Sequence, residues 1–133
     1  MLTRRAFLSV AALSALVITH TGFAKSNGRV RCAISIDAQR LMKILKQKRS
    51  ARAIGKAYLE VEPKEADTTY LVKAICGSGL DLKRAFLVRD DVLLRTAIAN
   101  RIRHDFIKRR TVMIDGWLLS RTEARICALH AAA

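Results

Sequence analysis

Few residues of this 133-residue chain combine the types and the spacing that chemistry requires. His104 and Asp105 are neighbours, but adjacent residues of a helix point in different directions, so a solvated histidine is expected rather than an acid–base pair. Cys127 and His130 lie three residues apart, which could place two soft metal ligands on one helix face. A structural zinc needs four ligands, and no second pair stands at a useful spacing, so we predict no metal site.

Motifs that bind cofactors or activate nucleophiles do not occur in the sequence. It contains no C-x-x-C-H for haem attachment, no G-x-G-x-x-G, no phosphate-binding loop and no G-x-S-x-G turn. Asp90 and Asp91 are interpreted as a helix cap rather than as a pair of catalytic carboxylates. We therefore predict no catalytic residue and no cofactor, and we expect a protein that is not an enzyme.

The cysteines and the single tryptophan are candidates for structural or interaction roles. In an oxidising compartment Cys32, Cys76 and Cys127 permit one disulfide, with three alternative pairings. Cys76 and Cys127 both occupy apolar positions of helical patterns, so a bridge between them and two small buried thiols are both open. Trp117 belongs to a residue type enriched at interfaces. Packing of this tryptophan against the helices beside it is the favoured prediction, and an interaction role is the alternative.

Hydrophobic periodicity places these residues on a mostly helical framework. Apolar residues recur at i, i+3, i+4 and i+7, the spacing that gathers them on one helix face. The helical patterns cover 35–49, about 50–61, 63–76, 90–109 and the residues after Ser120, and a short one over 81–88 is also open. We predict an all-α fold, a small bundle of four to five helices, with one short β-hairpin near residues 111–119. The inward stripe of the 90–109 helix is expected to be Leu94, Ala97, Ile98, Ile102 and Phe106.

Individual glycines and one proline indicate helix ends and contacts. Gly55 lies inside a helical pattern, where glycine lowers stability, so a close packing contact is expected there. Pro63 suits the first position of the next helix, because its missing N–H is not needed there. Gly77 could end that helix in the left-handed conformation.

The end of the chain carries two strong local signals. Asp115 and Gly116 separate two β-prone runs, and this dipeptide favours the two-residue hairpin turn in which both residues have positive φ. Ser120 and Glu123 have the spacing of a capping box, in which each side chain bonds the other residue's backbone N–H. A hairpin followed at once by a capped helix is therefore predicted.

The first 24 residues have the three parts of a cleavable signal segment. Arg4 and Arg5 form a short positive region, and about 14 apolar residues, 6–19, follow without a charge. A free-standing membrane helix needs about 20 residues, so a signal helix is favoured over a permanent anchor. Ala24 precedes the expected cleavage site. The predicted organisation is a signal peptide over 1–24, a flexible lead-in over 25–34, and one small helical domain over 35–133.

Residues 3–9, "TRRAFLS", resemble the twin-arginine export motif, Ser/Thr-Arg-Arg-x-Phe-Leu-Lys, and differ only at the last position. Arg4, Arg5, Phe7 and Leu8 carry the resemblance; an ordinary secretory signal is the alternative. The motif is an address read by a receptor. It implies a bacterial protein that crosses the inner membrane folded and resides in the periplasm or is secreted. Residues 114–129 likewise resemble small bacterial twin-arginine-targeted proteins of unassigned activity.

The charge of the chain points to anionic partners. Lysine and arginine number 25 against 11 acidic residues, and 23 of these basic residues lie after the first 24 positions. Such an excess informs on partners and solubility rather than on fold. An exported protein meets anionic lipid or acidic protein surfaces, so no nucleic acid is expected.

The expected partners are the twin-arginine export machinery and either a larger exported enzyme subunit or an anionic membrane surface. The small subunit of gluconate-dehydrogenase-type flavoenzymes is similar in carrying such a signal for its complex. The favoured function is therefore a non-catalytic interaction or accessory protein. A membrane-surface protein, a small ligand carrier and an enzyme without a recognisable motif are the alternatives.

Overall fold

The computed structural model describes residues 36–77 and 79–133. The predicted signal residues Arg4, Arg5, Phe7 and Leu8, the cleavage position Ala24, the lead-in over 25–34 and Cys32 lie outside the described residues. The described part contains residues from every predicted helix and the whole of the predicted hairpin.

The fold is mostly α-helical with one β-hairpin, as the sequence predicts. Its elements in chain order are α1 (36–42), α2 (Lys48–Val61), a 3-10 turn (Pro63–Glu65), α3 (Thr68–Cys76), α4 (Leu80–Val88), α5 (Asp91–Ile107), β1 (Thr111–Ile114), β2 (Trp117–Ser120) and α6 (Arg121–Ala132). The two strands are antiparallel and form the only sheet among the described residues.

Helix α6 is the centre of the fold, because it packs against α2, α3, α5 and both strands. The α2–α6 contact is the most extensive, and the absence of a side chain at Gly55 permits it. A Cβ atom at Gly55 would overlap the carbonyl oxygen of Cys127 and lie 2.9 Å from the backbone nitrogen of Ala128. The close contact predicted at Gly55 is therefore confirmed, and its partner is the backbone of α6.

One hydrophobic core joins the helices. Its largest fully buried apolar side chains are Tyr58, Leu41, Leu71, Ile75, Leu82, Leu94, Ile98, Ile126 and Leu129. They come from α1 to α6, so every helix contributes to the same core. Removal of this apolar surface from water is the main stabilising contribution that the fold offers.

Both local signals at the end of the chain are confirmed. Asp115 and Gly116 have φ values of 48° and 82°, and the strand register pairs Ile114 with Trp117 across this turn. The backbone N–H of Glu123 donates to the Ser120 hydroxyl, and the N–H of Ser120 donates to the Glu123 carboxylate, both at 3.0 Å. The capping box thus begins α6 directly at the end of β2. At α5, the Asp90 carboxylate accepts from two backbone N–H groups, as the cap interpretation predicts.

Helix boundaries before residue 80 differ from the predictions. The predicted 35–49 helix ends at residue 42, where the Ile44 N–H bonds the carbonyl of Leu41 and tightens the last turn. Pro63 starts a 3-10 turn rather than α3, which begins at Thr68 with the Asp67 side chain as its cap. Gly77 has φ −68°, so the left-handed ending predicted there is wrong: its N–H bonds the Lys73 carbonyl with right-handed geometry.

Near the end of α5, the buried position differs by one residue from the position that the sequence predicts. Leu94, Ala97 and Ile98 are buried as predicted, but Phe106 is 43% exposed and Asp105 is buried in its place. The prediction for Phe106 is wrong because Asp105 finds hydrogen-bond partners inside the fold that a pattern of apolar residues does not reveal.

Candidate functional site

The hairpin exposes three apolar side chains near its turn, Met113 and Leu118 on its outer face and Trp117 on its inner face, and we call this set the hairpin surface. The exposed fractions of Met113, Leu118 and Trp117 are 59%, 54% and 72%. Met113 and Leu118 are cross-strand partners, so their side chains lie next to each other on the outer face. Exposed aromatic and methionine side chains of this kind are enriched at the centres of protein interfaces.

Trp117 does not pack the hairpin onto the helices, which corrects the favoured prediction. Ile114 and Trp117 are partners across the turn and therefore share the inner face of the hairpin. Ile114 is buried in the core, whereas Trp117 is mostly exposed. The helices thus cover the inner face at Ile114 and leave it open at the turn, where Trp117 is available for contact with another molecule.

A second set of apolar side chains is exposed where α4 meets α5. Leu87 and Val88 lie at the end of α4, and Val92 lies at the start of α5. These residues flank the tight α4–α5 connection, in which Arg89 has a φ of 56°. These side chains form a comparison surface that is similar to the hairpin surface in exposure and apolar character. The strands contribute no residue to it.

A buried carboxylate, Asp105, joins α5 to the start of α6. Its Oδ2 atom accepts from the Thr122 backbone N–H at 3.0 Å and from the Thr122 hydroxyl at 2.5 Å. Its Oδ1 atom lies 3.1 Å from Nε of Arg110 and 3.9 Å from Nε of Arg101. We call these four residues the Asp105 cluster. His104 is exposed, as predicted, and its Nδ1 accepts from Arg110 at 2.7 Å.

A second buried carboxylate, Glu65, joins the 3-10 turn to α6. Arg125 donates two hydrogen bonds to it, and the Tyr58 hydroxyl donates a third at 2.6 Å. The hydrogen bond from Arg125 is the largest influence holding the pKa of Glu65 below its usual range. Burial, together with the hydrogen bond to Glu65, raises the pKa of Tyr58. These three side chains satisfy one another, which is typical of a structural rather than a catalytic cluster.

Basic side chains cluster on the outer face of α2. Lys48, Arg49, Arg52 and Lys56 are all exposed and span about 100° of the helix circumference.

Burial is the main cause that lowers the pKa of the adjacent His130, which donates from Nε2 to the Met42 carbonyl at 3.0 Å. The histidine is therefore a core side chain whose Nε2 atom is engaged by a backbone carbonyl.

Cys76 and Cys127 are free thiols, so the structure does not contain the disulfide between them that the sequence leaves open. Burial raises the pKa of Cys76 to about 12 and that of Cys127 to about 11. Both thiols are protonated at neutral pH and are weak nucleophiles. Within the described residues, no group of three or more His, Cys, Asp or Glu side chains is placed to hold a metal ion.

Sequence reasoning missed the roles of both buried carboxylates. It gave neither Glu65 nor Asp105 a partner inside the fold. The arginine partner of Glu65 is Arg125, 60 positions away along the chain, and that of Asp105 is Arg110, 5 positions away. The one available signal was local: Asp105 interrupts an inward apolar stripe at the position where a buried residue is due.

Comparison with known proteins finds no matching family model, no matching curated protein and no matching solved structure. Over residues 36–77 and 79–133, no helix has the length and apolar character needed to span a bilayer.

Proposed function

We propose that this chain is an exported, non-catalytic interaction protein that the twin-arginine pathway carries across the inner membrane in the folded state. In this proposal it travels with a larger partner subunit, and the hairpin surface is the place where that partner binds. The observation that carries the proposal is the exposed trio Met113, Trp117 and Leu118 on a hairpin that the helical core fixes in place.

The rigidity of its support favours the hairpin surface as a binding site. Ile114 anchors β1 in the core, and the capping box attaches the end of β2 to α6. A surface held in this way loses little conformational freedom on binding, which favours affinity. Tryptophan and methionine are also side chains that contribute strongly at interface centres.

The export motif in residues 3–9 supports the proposal that the chain is exported. Arg4, Arg5, Phe7 and Leu8 match the export motif that accepts folded cargo. An interaction protein that folds before export can carry a bound partner through the same route, which explains why a small domain would have such an address.

Cell fractionation tests the export part of the proposal. The native chain and an Arg4→Lys/Arg5→Lys variant are expressed in a bacterial host, and each is quantified in periplasm and cytoplasm. We expect only the native chain in the periplasm, because the twin arginines are what the receptor reads. Equal export of both forms would overturn twin-arginine routing.

Site-specific crosslinking tests the binding part. A photoreactive amino acid replaces Leu118 in one sample and the exposed Leu87 of α4 in the other, and the crosslinked proteins are identified. We expect one specific periplasmic partner from position 118 and none from position 87. We also expect Trp117→Ser, but not Leu87→Ser, to abolish co-purification of that partner. Equal crosslinking from both positions would overturn the assignment of the hairpin surface.

An anionic membrane surface is a second candidate partner, because four basic residues share the outer face of α2. Each basic residue near such a surface contributes about 1 kcal/mol, so a double substitution lowers binding by roughly tenfold or more. We expect Arg49→Gln/Lys56→Gln to weaken sedimentation with phosphatidylglycerol vesicles, and Lys83→Gln/Arg95→Gln to leave it nearly unchanged. Equal losses would indicate attraction by net charge alone.

A further inference from the structure

A cleft of about 350 Å³ lies between the start of α4 and the second half of α5. The side chains of Arg101, His104 and Arg110 line it, together with Asp81 of α4. A neighbouring cleft of about 300 Å³ shares Asp81 with it and extends along the same two helices to Arg84. The cleft is separate from the hairpin surface, none of whose residues lines it.

The Arg101 side chain is only 12% exposed and is incompletely paired. Its Nε atom is buried and has no hydrogen-bond partner within the described residues. The Asp105 carboxylate, at 3.9 Å, is beyond hydrogen-bond distance. Nearly all buried N–H groups of folded proteins have an acceptor, so the Arg101 guanidinium has less compensation inside the fold than is usual.

Asp105 cannot compensate both arginines that face it. Thr122 occupies its Oδ2 atom with two hydrogen bonds, and Arg110 occupies Oδ1. Arg101 and Arg110 therefore share a single carboxylate, which leaves a surplus of positive charge at this wall of the cleft. Burial is the main cause that lowers the pKa of Arg101, as expected of a guanidinium whose charge is poorly compensated.

We propose that the cleft binds a small oxyanion, a carboxylate or a phosphate, held by Arg101 and Arg110. Planar guanidinium groups present paired N–H donors that match the oxygens of both anions. His104 adds a third donor, because its Nδ1 accepts from Arg110 and its proton is therefore on Nε2. The site does not depend on the proposed export or on the hairpin surface.

Asp81 limits which anion the cleft accepts. Its carboxylate lines the same cleft and would repel a large or highly charged ligand. The site therefore suits a compact anion placed near the arginines. Neutralisation of Asp81 should strengthen binding, which provides a variant that gains rather than loses affinity.

Nuclear magnetic resonance of the full chain tests the proposal directly. The ¹H–¹⁵N signals of arginine Nε groups are recorded during titration with inorganic phosphate and, separately, with succinate, at constant ionic strength maintained with chloride. We expect a saturable shift of the Arg101 Nε signal with at least one of the two probes. The Arg101→Lys variant keeps the positive charge but lacks the paired N–H donors of the guanidinium, and the signal that it loses is that of Arg101. We expect it to bind the anion roughly tenfold more weakly or worse.

Two further variants separate a built site from general attraction. Arg95→Lys on the exposed face of α5 should bind like the native chain, and Asp81→Asn should bind more tightly. A linear response without saturation, or equal weakening by Arg95→Lys and Arg101→Lys, would overturn the proposal. So would the absence of any shift with both probes.

A flotation experiment with phosphatidylglycerol vesicles distinguishes lipid phosphate from a dissolved anion. Vesicle binding that decreases in Arg101→Lys would assign the cleft to a lipid headgroup. Vesicle binding that is unchanged, with phosphate or succinate binding lost in the same variant, would assign it to a dissolved oxyanion. Either result is consistent with an oxyanion site at Arg101. If Arg101→Lys lost neither vesicle binding nor the binding of phosphate or succinate, the proposed site would be refuted.

Discussion

Arg125 of α6 binds Glu65 of the 3-10 turn through two hydrogen bonds, from Nε to Oε2 at 2.9 Å and from Nη2 to Oε1 at 2.6 Å. Both side chains are largely buried, and Tyr58 of α2 donates to the same carboxylate. The pair therefore ties three elements together in the interior. The chain also has a more exposed version of the same contact, between Glu62 and Arg121 at 3.0 Å.

Removal of the buried charge should be far more costly than removal of the exposed one. Glu65→Gln leaves the Arg125 guanidinium buried without its counter-ion, and we expect a loss of about 3 kcal/mol in the free energy of unfolding. Glu62→Gln breaks a partly solvated pair and should cost less than about 1 kcal/mol. Urea denaturation of the three proteins measures both values. Equal losses would mean that Glu65 and Arg125 do not act as a buried pair.

The same carboxylate predicts how stability depends on acid. Because Arg125 holds the pKa of Glu65 below its ordinary value of 4.5, the ionised side chain stabilises the fold fully above that value. The contribution is lost as the pH falls below 4.5 and through the lowered pKa of the folded state. Unfolding free energies measured between pH 7 and pH 3 should decrease for the native chain. The Glu65→Gln variant should show a shallower decrease, and parallel curves would contradict the assignment.

Gly55 should be intolerant of the smallest addition. In Gly55→Ala the new Cβ would overlap the Cys127 carbonyl, so α2 and α6 must move apart, and we expect a net loss of about 2 kcal/mol despite the better helix propensity of alanine. Gly79→Ala is the matched control, since its Cβ would lie 3.8 Å from the nearest atom. The control should cost below about 1 kcal/mol, as a poorer helix cap. Thermal denaturation compares the two variants, and a tolerated Gly55→Ala would disprove the close contact.

Truncation of a side chain should lower stability much more in β1, at Ile114, than in β2, at Trp117. Ile114→Ala empties a buried core position and should cost about 2 to 4 kcal/mol. Trp117→Ser removes a mostly exposed side chain and should change stability by less than about 1 kcal/mol. This difference permits Trp117→Ser to be used in binding assays without loss of the fold. A large loss of stability in Trp117→Ser would instead show that the tryptophan packs against the helices.

Features that depend on short stretches of chain could be predicted from the sequence, whereas the identity of partners distant along the chain could not. Asp115, Gly116, Ser120 and Glu123 act through neighbours within four positions, so the turn and the cap were recognisable. Glu65 is buried only because Arg125, 60 residues later, meets it. The Arg101 cleft is likewise a product of helix packing, because no spacing along the chain brings Asp81 of α4 opposite it.

The reactivity of the two described thiols should be low in the folded chain and ordinary in the unfolded one. The pKa of Cys76 is raised to about 12 and that of Cys127 to about 11, so little thiolate exists at pH 8. With Cys32→Ser as background, we expect iodoacetamide to modify the native chain at least about a hundredfold more slowly than the chain unfolded in urea. Mass spectrometry follows both reactions. If the chain remained unmodified in urea until a reductant was added, Cys76 and Cys127 would be joined in solution, and their assignment as free thiols would be wrong.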